Sequence, residues 1–349
     1  MRLTLALILA AAGFRALCAE PGVSADGRIT FHLKAPNAKE VKVISDAGAI
    51  GPMTKDEKGV WSVTTEPLAP DIYWYVFLVD GQGFGDPENP LVKTGVRGAE
   101  SLVRVPGAEN PVWFEKDVPR GTLHEQVYRS VAGMDRNLVI YTPPGYGAGN
   151  AKYPVLYLLH GLGDDERNWT MVGRAHVVLD NLIAGKRAVP MIVVMPNGLF
   201  PRGSGGDQMF EKDLLESVIP LVETTYRVET SREGRAVAGL SMGGGQALGV
   251  GLSHKDLFAW VGSFSSGNVS NAATRYADFL EHPETGGKLK LLYIGCGEKD
   301  PRLENTKKFD AMLSDRGIGH VFAVYPGGHE WVVFRRNFAE IAPLLFRER

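Results

Sequence analysis

The stretch from position 235, RAVAGLSMGGGQALGVGLS, constrains the fold of this chain more than any other. An apolar run ending at Ala238 reads as a strand, and Met242 opens a pattern that reads as a helix. Between them Gly239-Leu240-Ser241-Met242-Gly243 spells G-x-S-x-G. A strand that turns at once into a helix needs a tight, strained bend, and side chains at the flanking positions would collide there. Glycine costs about 1 kcal/mol relative to alanine inside a helix, so Gly243, Gly244 and Gly245 give up helix propensity for that geometry. A hydroxyl on such a bend projects from the edge of a sheet, which makes Ser241 a candidate nucleophile.

The segments around this bend repeat its logic. YPVLYLLHG, AVPMIVVMPNG, GRAVAGLS, FAWVGSFSS, KLKLLYIGCG and HVFAVYPGG are short and nearly continuous in apolar residues. Candidate helices separate them, near 170–184, at FEKDLLESVIPLVETTY, after Ser241, and at DPRLENTKKFDAMLSDRG, with one more at the C-terminus. QVYRSVAGMDRNLVIYTPP reads as a hairpin turned at Gly133. Strands of this kind alternating with helices predict an α/β fold with a mostly parallel central sheet covered on both faces.

Residues 27–105 have a different rhythm, with short strands that stop at Gly, Pro or Asp and no helical period between them. They predict a small β-sandwich. Within YWYVF, Tyr73, Tyr75 and Phe77 face one side of a strand while Trp74 and Val76 face the other. Trp61 and Trp74 either fill the sandwich core or stack on sugar rings from its surface. The expected division is 1–19 leader, 20–106 sandwich, 107–122 linker and 123–349 α/β domain.

The leader, MRLTLALILAAAGFRALCAE up to Ala19, has a basic Arg2, a short apolar run and small residues before the expected cleavage point. That is the layout of a secretory signal peptide, and the run falls short of the roughly 20 apolar residues of a membrane span. Arg15 and Leu17 do not suit a lipobox around Cys18. Cleavage would leave Cys296 as the sole cysteine and exclude an intrachain disulfide. The expectation is a secreted or periplasmic protein with no membrane attachment after cleavage. Lys and Arg total 38 against 40 Asp and Glu, a balance that argues against a nucleic-acid partner. The oligomeric state is not legible.

A serine hydroxyl needs a base, usually a histidine oriented by a carboxylate. Where G-x-S-x-G sits between strand and helix, the order along the chain is Ser, acid, His, each at a strand's C-terminal end. Of the histidines after Ser241, His254 ends a helix, His282 sits in HPETGG and His320 begins a strand, whereas His329 follows one in VYPGGHEW. GEKDPRL, after the preceding strand, offers Asp300 as the acid, with Glu298 as the alternative and an N-cap role as the other use of Asp300. The oxyanion needs preorganised backbone donors. Met242 supplies one and Leu162, in the His160-Gly161-Leu162-Gly163 run, the second. Asp164, Asp165 and Glu166 lack a complete metal-ligand pattern and read as solvated loop charges. Trp169, Phe200, Met209 and Trp331 are candidate apolar wall residues, with Trp169 and Trp331 the expected substrate contacts.

Two resemblances follow. FHLKAPNAKEVKV, GVWSVT, PDIYWYVFLVDG and DPENP resemble the immunoglobulin-like family 48 carbohydrate-binding modules. LYLLHGLGDDERNW, VVMPNG, FEKDLLESVIPLVETTYRV, RAVAGLSMGGGQAL, YIGCGEKD and GGHEWVVFRRN resemble the carbohydrate esterase family 1 feruloyl and acetylxylan esterases of the esterase D group. The second resemblance implies an α/β-hydrolase fold and places Ser241, Asp300 and His329 on the triad positions and Leu162 and Met242 on the oxyanion positions. Phe334 departs from it, since many relatives carry tryptophan there. The implied activity is hydrolysis of feruloyl or acetyl esters on plant polysaccharide, through an acyl-enzyme and without cofactor or metal. Enterochelin-type siderophore esterases share fold and triad and are the alternative, and a mycolyltransferase-like acyltransferase has little support. From another class comes a carbohydrate-binding protein with an inactive hydrolase half, which the complete set of triad candidates argues against.

Overall fold

The computed structural model describes residues 20–347 except 97, 202, 204, 268, 283 and 285–288, so the expected leader at 1–19 lies outside the described residues. The α/β part is built on one eight-stranded sheet. Its order is Thr122–Arg129, Asp135–Thr142, Ile192–Pro196, Val155–Leu159, Arg235–Leu240, Trp260–Phe264, Leu291–Gly297 and Val321–Tyr325. The first two strands form the antiparallel hairpin with Gly133 in the left-handed region at its turn, and the strands from Ile192–Pro196 onward run parallel. Every residue of Val155–Leu159, Ile192–Pro196, Arg235–Leu240 and Trp260–Phe264 is buried. Burial on both faces is why these strands read as continuous apolar runs rather than alternating ones.

Residues of the sandwich form two antiparallel sheets. One comprises Gly22–Val23, Ile29–Lys34, Val60–Thr64 and Thr54–Lys55, and the other Val41–Ser45, Asp71–Val79, Glu100–Val105 and Val92–Lys93, with Gln82–Phe84 paired to Asp71–Val79. Tyr73, Tyr75 and Phe77 pack with Phe31 and Val103 between the sheets. Trp61 is buried there too, its indole N–H donating to the Ala35 carbonyl at 3.0 Å. Of its two candidate uses, the core one holds.

The opposite face of Asp71–Val79 is not free surface. Ile72 and Leu102 join Trp113, Val139, Trp331 and Phe334 in one apolar cluster shared with the large sheet's layers. The expected linker belongs to the same cluster, since Trp113 and Phe114 are buried and the Asn181 amide donates to the Val112 and Phe114 carbonyls. Its aromatic residues bury too much apolar area for a solvated tether.

Two helices depart from the simple periodic pattern. The helix near 170–184 is divided into Asn168–Met171 and Ala175–Ala184 at Arg174, whose φ is +56°. The run beginning at Asp207 widens into a π-type turn over Leu214–Val218 just before Pro220, which has no N–H to continue a regular ladder. Among the described residues no helix is long and apolar enough to cross a membrane.

Candidate active site

Ser241 sits at the junction of Arg235–Leu240 and Met242–Ser253 with φ +52° and ψ −112°. A non-glycine residue reaches that region only when its surroundings hold it there. Here the Ser241 N–H donates to the Phe264 carbonyl at 2.8 Å, and its carbonyl accepts from Gly245 and Gly267. Gly243 is needed for close approach, because a Cβ there would lie 2.5 Å from the His160 carbonyl oxygen and 2.7 Å from Leu159 backbone.

The Ser241 hydroxyl lies 2.9 Å from His329 Nε2, and His329 Nδ1 lies 2.7 Å from Asp300 Oδ2. Asp300 and His329 leave the C-terminal ends of the two strands expected to carry them. Glu298 is exposed, and its backbone N–H bonds to Tyr325, so Asp300 and not Glu298 meets the histidine. The N-cap use of Asp300 is not realised, because the helix Leu303–Ser314 begins later with Arg302 at its N-cap; Asp300 Oδ1 instead accepts from the Arg302 N–H at 2.9 Å in the turn before it. Burial alone would raise the Asp300 carboxyl. Hydrogen bonds from His329, the Arg302 N–H and the Ser265 hydroxyl outweigh it and hold the group below the ordinary carboxylate range. The acid therefore remains an acceptor that fixes the imidazole proton on Nδ1 and leaves Nε2 free to accept from Ser241.

The expected oxyanion loop follows Val155–Leu159. His160 is buried and takes no part in a base-nucleophile pair. Its Nε2 accepts from the Gly198 N–H at 2.9 Å while Nδ1 donates to the Gly161 carbonyl at 2.8 Å, which ties this loop to the one after Ile192–Pro196. Met242, first in its helix, has an N–H without an intrahelical acceptor. Leu162 is 74% exposed at the mouth of the cavity that holds Ser241.

That cavity, about 160 Å³, is lined by Leu162, Leu240, Ser241, His329, Trp331 and Phe334 from the α/β part, and by Trp74, Lys93 and Glu100 from the sandwich. Phe334 stands edge-on to the His329 ring at 5.0 Å between centroids and shapes the rim in place of the indole the resemblance implies. Trp331 lines the cavity. Trp169 does not. It is 1% exposed, donates its indole N–H to Leu159 and packs against the back of Trp331 at 5.2 Å. Phe200 lies instead in a neighbouring cleft of about 560 Å³ that meets the cavity at Leu162, with its ring on the Arg136 guanidinium.

Sequence reasoning missed the sandwich side of the cavity, because Trp74, Lys93 and Glu100 carry no motif. It also misread Asp164, Asp165 and Glu166. Asp164 and Glu166 are buried, with Asp164 paired to Lys93, Asp165 accepting from Thr94 and Glu166 from Asn197. The packed sandwich removes the solvent that a loop of three acids would otherwise have. Ser265, the other missed residue, has φ +50° beside the acid and no warning in the sequence beyond its place after a strand. Among the described residues no cluster of His, Cys, Asp and Glu could hold a metal ion.

Comparison with known proteins gives the family. Residues 130–345 match the Esterase family model, described as "Putative esterase". An endo-1,4-beta-xylanase/feruloyl esterase of Xylanibacter ruminicola is 32% identical over 343 residues, which cover 94% of this chain and 46% of that protein. Endo-1,4-beta-xylanase Y of Acetivibrio thermocellus is 27% identical over 256 residues, 65% of this chain and 23% of its own length. The chain thus spans half or less of the length of these relatives. Among solved structures, a ferulic acid esterase from Anaeromyces mucronatus in complex with ferulic acid superposes with TM-score 0.59 at 25% identity, covering 67% of this chain and 93% of that one. An enterobactin esterase from Shigella flexneri has TM-score 0.70 at 20% identity over 91% of this chain and 92% of its own, a likeness of fold. The chain has the α/β-hydrolase fold behind an N-terminal β-sandwich and belongs to the Esterase family.

Proposed function

We propose that this chain is an exported serine esterase that removes feruloyl or acetyl groups from plant cell-wall polysaccharide, with Ser241, His329 and Asp300 as its triad. The hydrogen-bonded series Ser241–His329–Asp300 carries the reading. His329 Nε2 takes the hydroxyl proton as Ser241 Oγ adds to the ester carbonyl. The Leu162 and Met242 N–H groups receive the resulting oxyanion. Collapse of the tetrahedral intermediate expels the sugar hydroxyl, which leaves with the proton from His329. Water then attacks the acyl-enzyme by the same route, and the carboxylic acid departs. No step calls on a cofactor or metal.

The substrate class rests on the relatives. One that is 32% identical across both parts of the chain is named a xylanase/feruloyl esterase, and a 25% identical structure holds ferulic acid. Trp74, Trp331 and Phe334 give the cavity the aromatic wall that a phenolic acyl group would need. The signal-like leader supports export. The shared two-part fold keeps a siderophore ester as the second reading.

Initial rates on methyl ferulate, acetylated xylan and enterobactin test the assignment. The expected order puts one of the first two at least tenfold above enterobactin in kcat/KM, and the reverse order overturns the substrate class. Ser241→Ala is expected to lose roughly 10⁶ in turnover, the scale of such triads. Retained activity in that variant would overturn the triad.

A further inference from the structure

The segment 93–96 of the sandwich is bonded to the oxyanion loop at several points. Lys93 Nζ lies 2.6 Å from Glu100 Oε2 on its own sheet and 3.1 Å from Asp164 Oδ1 on the loop, and these side chains are only 10–18% exposed. The Val96 N–H donates to the Gly163 carbonyl at 3.1 Å, and the Thr94 hydroxyl to Asp165 at 2.9 Å. The Asn168 amide closes the set, donating to the Thr94 carbonyl at 2.7 Å and to Asp164 at 2.8 Å. Gly95 passes so close that a Cβ would sit 2.2 Å from the Gly163 carbonyl oxygen. The bonds to Gly163, Asp164 and Asp165 fall on the three residues just after Leu162, whose side chain is largely exposed.

We infer that the β-sandwich is a working part of the catalytic centre: segment 93–96, anchored by Lys93, holds the 161–165 loop in the geometry that presents the Leu162 N–H to the oxyanion. Lys93 is a positioning residue, acting on the reaction through Asp164. Its ammonium also neutralises two carboxylates that would otherwise face the site of developing negative charge. Burial alone would favour the neutral amine, but Asp164 and Glu100 outweigh it and raise the ammonium's pKa. A donor held this way costs no reorganisation during the reaction, which is what makes preorganised donors effective. An isolated sugar-binding module would have no need of such an attachment.

The inference rests on the triad reading above, and the test separates the two. Lys93→Met and Gly95→Ala are made in the full chain, active sites are titrated, and p-nitrophenyl acetate serves as a substrate indifferent to the natural acyl group. Both variants are expected to lose at least tenfold in kcat per titrated site with KM within twofold. A trifluoromethyl ketone, which adds to Ser241 and places an oxyanion in the same hole, is expected to show an inhibition constant raised by a matching factor. Lys93→Met/Glu100→Gln, which removes one of the stranded carboxylates, is expected to recover part of the loss. If Lys93→Met does not fold, Gly95→Ala carries the test because it changes no charge. Losses that vanish when rates are counted per titrated site overturn the inference, as do kcat and inhibition constants within twofold of the unmodified protein. Inactive Ser241→Ala beside fully active Lys93→Met and Gly95→Ala removes this inference alone, whereas active Ser241→Ala removes the triad with it.

Discussion

Arg335 Nη2 donates to Asp71 Oδ1 at 2.7 Å across a sequence separation of 264 residues. The same guanidinium donates to the Ile72 carbonyl and, through Nη1, to the Val172 carbonyl, and the arginine side chain is fully buried. Arg335 stands on the helix Trp331–Ile341 that begins two residues after His329, so one ion pair joins the sandwich to the element that follows His329. Removing one partner of such a pair leaves an uncompensated buried charge. Arg335→Met is expected to cost about 3–5 kcal/mol in urea unfolding. Arg335→Met/Asp71→Leu should be the more stable of the two variants, and equal stabilities would count against the pair.

Gly243→Ala places a Cβ against backbone atoms of Leu159 and His160, which belong to the central strand and the oxyanion loop and have no slack. The expected outcome is a loss of more than about 2 kcal/mol in stability, in the range of strained or overpacked sites. Turnover should fall with it, because relieving the contact displaces either Ser241 or the loop. Thermal unfolding together with rates per titrated site measures both.

Asp300→Asn is expected to lower kcat about 10⁴-fold, because the amide holds the wrong imidazole tautomer. Glu298→Gln, at an exposed position, should remain within twofold. In the unmodified protein the lowered pKa of Asp300 means that its contribution to stability is in place above the ordinary carboxylate value. That contribution is lost as the pH falls through the depressed folded value. The difference in unfolding free energy between the two proteins should therefore shrink on moving from neutral pH toward pH about 3, a range set by the ordinary carboxylate pKa. A constant difference would contradict the assignment.

His176 supplies a second acid-sensitive group, outside the site. Burial, assisted by the Arg174 and Arg120 charges, pushes its imidazole down to about 4. The unfolded chain then binds more protons between the ordinary imidazole value and that lowered one, so stability falls as the pH drops across this window. The full loss is about 2–3 kcal/mol, allowing for partial solvent screening. His176→Leu is expected to flatten the unfolding free energy between pH 6.5 and 4, values bracketed by the two imidazole pKa values. An unchanged slope would assign the acid sensitivity elsewhere.

The strand-bend-helix at Ser241, the parallel strands along the chain and the strand-end positions of Asp300 and His329 were legible because each follows from local rules. A doubly covered strand must be apolar throughout, a nucleophile bend must have glycine where a side chain would strike backbone, and the acid and base follow strand ends. Even there the sequence left Asp300 and Glu298 open, because only Lys299 separates them in one loop. Only the packed chain puts Asp300 under His329 and Glu298 in solvent. The sandwich strands were legible as well, together with the two faces of YWYVF. What covered the second face was not, since alternation tells which side chains share a side but not what lies opposite. Trp74 therefore reads as a surface ring or a core ring and instead lines the cavity, and Lys93 carries no motif that would single it out. Their placement depends on contacts between segments some 70 residues or more apart, as does the burial of Asp164. Such contacts form only when two apolar faces exclude water between them. Local chemistry in the sequence thus determined the candidate nucleophile and its partners, and long-range burial decided which residues enclose them.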